Sequence, residues 1–103
     1  MSDSRDPVRD MLFVINELAD MNEVAALPDY EEATPDMVEA MLEGAAQLAN
    51  DVIAPTNVVG DTQGAKLVDG HVLVPDEFKV AYQQYVEGGW PGLSLDPEYD
   101  GMG

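Results

Sequence analysis

The 103-residue sequence predicts a mainly α fold, with three principal helices and a small β-hairpin between the second and third. Three observations carry that expectation. Apolar residues recur at three- and four-residue spacing in three separate stretches, the pattern that gives a helix one apolar face. Prolines and glycines punctuate the ends of those stretches. One Asp-Gly pair, Asp69-Gly70, sits between two short β-leaning runs in "KLVDGHVLVP", the strongest short-range hairpin signal.

The first helix is expected to open at Asp6-Pro7, where an acidic cap precedes a proline at the first helical position. Val8, Met11, Leu12, Ile15, Leu18 and Ala19 then form one apolar face, widened by Phe13 and Val14. "LPDYEEATPD" reads as a connector broken by Pro28 and Pro35, with Thr34 capping the second helix. Val38, Met41, Leu42, Ala45, Leu48, Ala49, Val52 and Ile53 make its stripe, and Pro55 is expected to stop it. The small residues Gly44, Ala45, Ala46 and Ala49 would admit a close neighbour. "VVGDTQGAK" reads as a loop. After the hairpin, Pro75, Asp76 and Glu77 open the third helix, on which Phe78, Ala81, Tyr82, Tyr85 and Val86 share a face before Gly88-Gly89 ends it. Met11, Met37 and Met41 are expected in the core, as flexible apolar filler.

Composition narrows the function classes. With 21 acidic residues against four basic ones, formally −17, the chain lacks the clustered cations that a nucleic-acid backbone or an anionic membrane requires. The acids are scattered through every segment, as on a solvated surface. There is no cysteine, which excludes disulfides, thiolate zinc sites and a thiol nucleophile. The polar start "MSDSRDPVRD" lacks an apolar signal core, and no apolar run approaches the ~20 residues that span a bilayer. A cytoplasmic location is expected.

The residues that could carry chemistry are few. Asp96, Glu98 and Asp100 alternate before Gly101 like the first half of a calcium loop, but a full loop needs about twelve positions and a terminal bidentate acid. His71 is the only histidine and follows the hairpin turn, with no serine or second histidine nearby to build a triad or a zinc site. Gly88, Gly89 and Gly92 lack both GxGxxG spacing and a phosphate-loop lysine. Carboxylate pairs such as Glu31 and Glu32 arise from composition alone. No catalytic, cofactor-binding or metal-binding residue is assigned.

The succession "PVRDMLFVINELADM", "LPDYEEATPDMVEAMLEGAAQLANDVIAPTN" and "VEGGWPGLSLDPEYDGMG" resembles the N-terminal helical part of a bacterial acyl-CoA dehydrogenase. The similarity is to the longer forms, which carry an additional N-terminal helix and include enzymes acting on short or sulfur-containing acyl-CoA thioesters. The most specific pieces are Ala54-Pro55, "EGGWPGLS" at residues 87–94 and "PEYDGMG" at residues 97–103. The family usually reads Pro-Glu-Tyr-Gly-Gly-x-Gly in the last of these, so Asp100 replaces a glycine; Asp tolerates left-handed backbone angles better than most residues.

The resemblance implies residues 1–33 as an extension helix and connector, and residues 34–103 as a helical domain cut before a β-domain. In the family, the β-domain and a C-terminal helical bundle complete the enzyme, hold FAD and supply a glutamate base. That base takes a proton α to the thioester while the flavin accepts the β-hydrogen. The resemblance therefore implies a chain inert by itself, whose partners are the remaining domains, with acyl-CoA as substrate of the parent enzyme and self-association through uncovered apolar surface. Trp90, Tyr99, Gly101 and Gly103 are the residues expected to face the missing domains. Periodicity alone equally allows a stand-alone acidic helical module that binds another protein through its Met- and Ala-rich faces.

Self-repulsion of a formal −17 predicts that moderate sodium chloride raises the thermal midpoint, since screening cuts the repulsion to within ~10 Å at 0.1 M. Melts across ionic strength check this. A flat or falling midpoint would mean that the acids are compensated locally.

Overall fold

The computed structural model describes residues 7–103, and the cap expected at Asp6 lies outside the described residues. The architecture is mainly helical, with three main helices and a two-stranded antiparallel hairpin, as the sequence predicts. Two compact units divide the chain, one ending at Gln47 and including Gly103, the other Leu48–Met102.

In the first unit, helix α1 covers Val8–Phe13 and runs into a π-helical turn, Val14–Leu18, closed by the Ala19 amide on the Val14 carbonyl at 3.0 Å. The π turn adds a residue to the helical repeat, so an apolar stripe at three- and four-residue spacing loses phase beyond it. Leu18 accordingly does not share the buried side of Val8: it is 72% exposed, a correction to the single face expected over residues 8–19. Asp20, at φ 54°, then starts a short helix α2, Met21–Ala25, within a stretch for which no helix is expected. Its signal is the half-buried Met21, Val24 and Ala25, one helical turn of apolar spacing. Helix α3, Pro35–Leu48, begins as expected: the Thr34 hydroxyl accepts the Met37 amide at 3.3 Å and Pro35 occupies the first helical position. Its stripe residues Val38, Met41, Leu42, Ala45 and Leu48 are half-buried. Met11 and Met37 stay about half exposed and are not core residues, because few elements in this unit are available to cover them.

The second unit opens with another π-helical turn, Ala49–Ile53, in which the Ala54 amide reaches the Ala49 carbonyl at 2.7 Å. Pro55 ends this stretch, but the chain turns helical again at once: α4 covers Thr56–Gln63 and replaces most of the loop expected at "VVGDTQGAK". Gly60 costs such a helix about 1 kcal/mol against alanine. Tertiary packing decides the matter, since the Phe78 ring lies against Gly60 so closely that an added Cβ would sit 2.6 Å from its Cζ. Gly64 terminates α4.

Strands β1, Lys66–Val68, and β2, His71–Leu73, pair antiparallel with Val68 opposite His71 and Lys66 opposite Leu73. Asp69 and Gly70 have φ of 51° and 80°, both left-handed, as a two-residue type I′ hairpin turn requires. Helix α5, Asp76–Glu87, packs on the second π turn and on α4, and buries Ala81. Its expected face is only partly covered: Tyr85 is half-buried, while Tyr82 is 67% exposed. Among the described residues, Val8, Pro75 and Ala81 are the buried ones.

Replacing Thr34 by alanine removes the side-chain acceptor at the start of α3 and is expected to lower stability by about 1 kcal/mol, with serine restoring most of it. Urea unfolding of the two variants checks the order.

Candidate functional site

The two glycine-bearing segments singled out in the sequence fold onto each other beyond the end of α5. The Gly88 amide donates to the Gln84 carbonyl and the Gly89 amide to the Val86 carbonyl, both at 3.0 Å, and Gly89 at φ 79° turns the chain out of the helix. Two short 3-10 turns follow, Trp90–Gly92 and Pro97–Tyr99. The Met102 amide then reaches back to the Gly92 carbonyl at 2.9 Å, and the Gly101 amide to the Asp96 carbonyl at 3.1 Å. "EGGWPGLS" and "PEYDGMG" are thus one backbone-bonded knot, not two separate turns.

Each expected interface residue has a definite place. Trp90 is half-buried, its indole lying over Gly88, where a Cβ would come 2.8 Å from the indole nitrogen. Tyr99 points away from cover and is 73% exposed. Gly101 is half-buried against the Leu95 backbone, and a Cβ there would overlap the Leu95 carbonyl. Gly103 is exposed at φ 98°. Leu95 at 52% and Met102 at 47% are further exposed apolar side chains of the same knot.

The acids of this segment act on backbone geometry. The Asp96 carboxylate accepts the Glu98 amide at 2.9 Å and caps the second 3-10 turn. Asp100 occupies the left-handed region at φ 66°, ψ 20°, the conformation anticipated for the residue standing where the family has glycine. Among the described residues no group of three or more His, Asp or Glu is placed to hold a metal. His71 lies exposed at the start of β2. Lys79 and Asp76 form an exposed ion pair at 3.9 Å, of a kind that contributes little.

Two open grooves flank α5. One, about 620 Å³, runs past Ile53, Asn57, Gly60 and Phe78; the other, about 430 Å³, is lined by Val52, Pro55, Val80, Ala81, Asp51, Asp76 and Glu77 among others. The periodicity reading missed the first, which exists because α4 replaces a loop; Gly60 inside an apolar stretch was the available signal of close backbone approach. Neither groove encloses a ligand, and no unpartnered side-chain polar atom is buried among the described residues.

Comparison with known proteins defines the class: over nearly all its length the chain resembles part of an acyl-CoA dehydrogenase. It is 42% identical over 97 residues to 3-methylmercaptopropionyl-CoA dehydrogenase of Ruegeria pomeroyi, a match covering 94% of this chain and 16% of that protein. It is 34% identical over 97 residues to butyryl-CoA dehydrogenase of Syntrophomonas wolfei, covering 90% of this chain and 16% of that one. A broad-specificity linear acyl-CoA dehydrogenase of Mycobacterium tuberculosis is 27% identical over 105 residues, covering 99% of the chain and 17% of the relative. The chain thus spans about a sixth of the length of the curated relatives it matches. No family model matches it. Among the described residues, no helix is long and apolar enough to cross a membrane.

The knot makes Gly101 intolerant of a side chain and Asp100 tolerant of its loss. Gly101→Ala is expected to destabilise the second unit by about 1–3 kcal/mol through overpacking on Leu95. Asp100→Gly is expected to change stability by less than ~1 kcal/mol, as relief of the left-handed strain offsets the added chain entropy. Thermal and urea unfolding of both variants separates the two.

Proposed function

We propose that this chain serves as the N-terminal helical part of an FAD-dependent acyl-CoA dehydrogenase, whose parent enzyme removes hydrogens from the α and β carbons of an acyl-CoA thioester. The observation carrying this reading is the 42% identity maintained over 97 residues, far more of this chain than any single motif covers. In this role residues 1–33 are the extension helix and its connector, and residues 34–103 contribute a wall against which further domains pack. The chain itself supplies neither the base nor the flavin site; its task is shape. Trp90, Tyr99, Gly101 and Gly103 are the proposed contacts. Gly101 acts through the backbone path it permits, Trp90 as a half-buried platform, and Tyr99 as the exposed side chain that a neighbouring domain would cover. The names of the relatives favour a short or sulfur-containing acyl group.

Apolar exposure supports the reading. Phe13, Leu18, Leu27 and Tyr30 in the first unit, and Val58, Leu67, Val72, Val80, Tyr82 and Tyr99 in the second, are all at least half exposed. Such side chains, more numerous than solubility favours, suit a surface made to be packed upon. A cytoplasmic location accords with the acyl-CoA chemistry proposed for the parent.

Purified as 103 residues, the chain is expected to be colourless, to retain no flavin and to dehydrogenate no acyl-CoA. Joined to the polypeptide that follows in a full-length relative, it is expected to give a yellow protein whose flavin absorbance is bleached by a short-chain acyl-CoA without oxygen. Stoichiometric flavin uptake by the 103-residue chain would overturn the assignment, as would a hybrid that folds but binds no flavin.

A further inference from the structure

The chain contains two Asp-Gly pairs in left-handed turns, Asp69-Gly70 and Asp100-Gly101, and their backbones are held very differently. Asp-Gly is the dipeptide most open to attack of the following amide nitrogen on the aspartyl side-chain carbon, because glycine presents no side chain to hinder the approach. Cyclisation needs that nitrogen free of other bonds and able to rotate toward the carboxyl.

We propose that Asp69 is a site of succinimide formation and isoaspartate accumulation in the folded protein, and that the knot protects Asp100 from the same reaction. The Asp69 carboxylate takes a proton from solvent, the Gly70 amide nitrogen bonds to Cγ, and the amide proton leaves with the carboxyl hydroxyl as water. The resulting five-membered imide is one water lighter than the chain. Water then reopens it: cleavage at the former side-chain carbonyl restores aspartate, and cleavage at the main-chain carbonyl leaves the backbone running through Cγ. No oxidant, cofactor or enzyme is consumed.

Three observations separate the sites. The Gly70 amide donates no hydrogen bond, whereas the Gly101 amide is bonded to the Asp96 carbonyl at 3.1 Å. Asp69 joins two strands of three residues, every one of them exposed, and a two-stranded ribbon so short opens at little cost. Gly101, in contrast, is wedged against Leu95, and the Met102 amide beyond it is held by Gly92, so rotation at Asp100 requires the whole knot to open. The consequence at Asp69 is structural. An extra backbone carbon lengthens a turn whose type I′ geometry sets the pairing of Val68 with His71, so the modified chain loses the register of the ribbon joining α4 to α5.

The test is to age the complete 103-residue chain at physiological pH and temperature and to locate isoaspartate by electron-transfer fragmentation. It is expected at Asp69 at least about tenfold faster than at Asp100, the order of protection that a retained backbone hydrogen bond supplies. Asp69→Glu is expected to abolish the signal at that position without affecting the other. In denaturing urea the two rates are expected to converge. Equal rates in the folded chain, faster reaction at Asp100, or a disparity that survives unfolding would each overturn the proposal.

Discussion

Covering one face of α5 is the constraint on which the second unit depends. Ala81 is buried there, the Phe78 ring closes on Gly60 of α4, and Trp90 folds back onto Gly88 at the helix end. Three neighbours, the π turn Ala49–Ile53, α4 and the turn Trp90–Gly92, take their places by contact with this single helix. Small residues set how near they come: Gly60 and Gly88 stand where a Cβ would collide with an aromatic ring. Close approach matters because dispersion and burial fall steeply with any gap, and a chain this short has little other core to draw on.

Elsewhere backbone bonding carries more of the order than side-chain burial. The knot at the end of the second unit is held by main-chain bonds among Gly92, Asp96, Gly101 and Met102, while Tyr99 and Leu95 remain exposed. The geometry there is set by its own backbone, and its apolar side chains remain at the surface. This backbone bonding explains how two short, nearly irregular segments can hold a definite shape without a filled interior.

The acidic surplus has a structural component besides solvation. Asp20, Asp29, Asp69 and Asp100 are the non-glycine residues found at positive φ among those described. Each turns the chain where glycine would otherwise be needed, and aspartate does so while adding charge and restricting the unfolded chain more than glycine would. Asp96 adds a cap. The alternation of Asp96, Glu98 and Asp100, which on paper suggests half a calcium loop, is thus accounted for by local hydrogen bonding and by one left-handed corner.

Local chemistry alone determined much of this protein. The Thr34-Pro35 start of α3, the Asp69-Gly70 turn, the acidic opening of α5 and its glycine end all follow from interactions within a few residues, which is why they are legible in sequence. So was the acyl-CoA dehydrogenase likeness, carried by the motifs around Trp90 and Tyr99. Only tertiary structure decided the rest. The helix that includes Gly60 and the folding of residues 87–94 onto residues 97–102 depend on which distant group arrives to pack or bond. Phe78 is eighteen positions from Gly60 in the numbering, and Met102 is ten from Gly92, well beyond the three- and four-residue spacings from which helical periodicity is read, so propensity is overruled there by contacts that periodicity does not record.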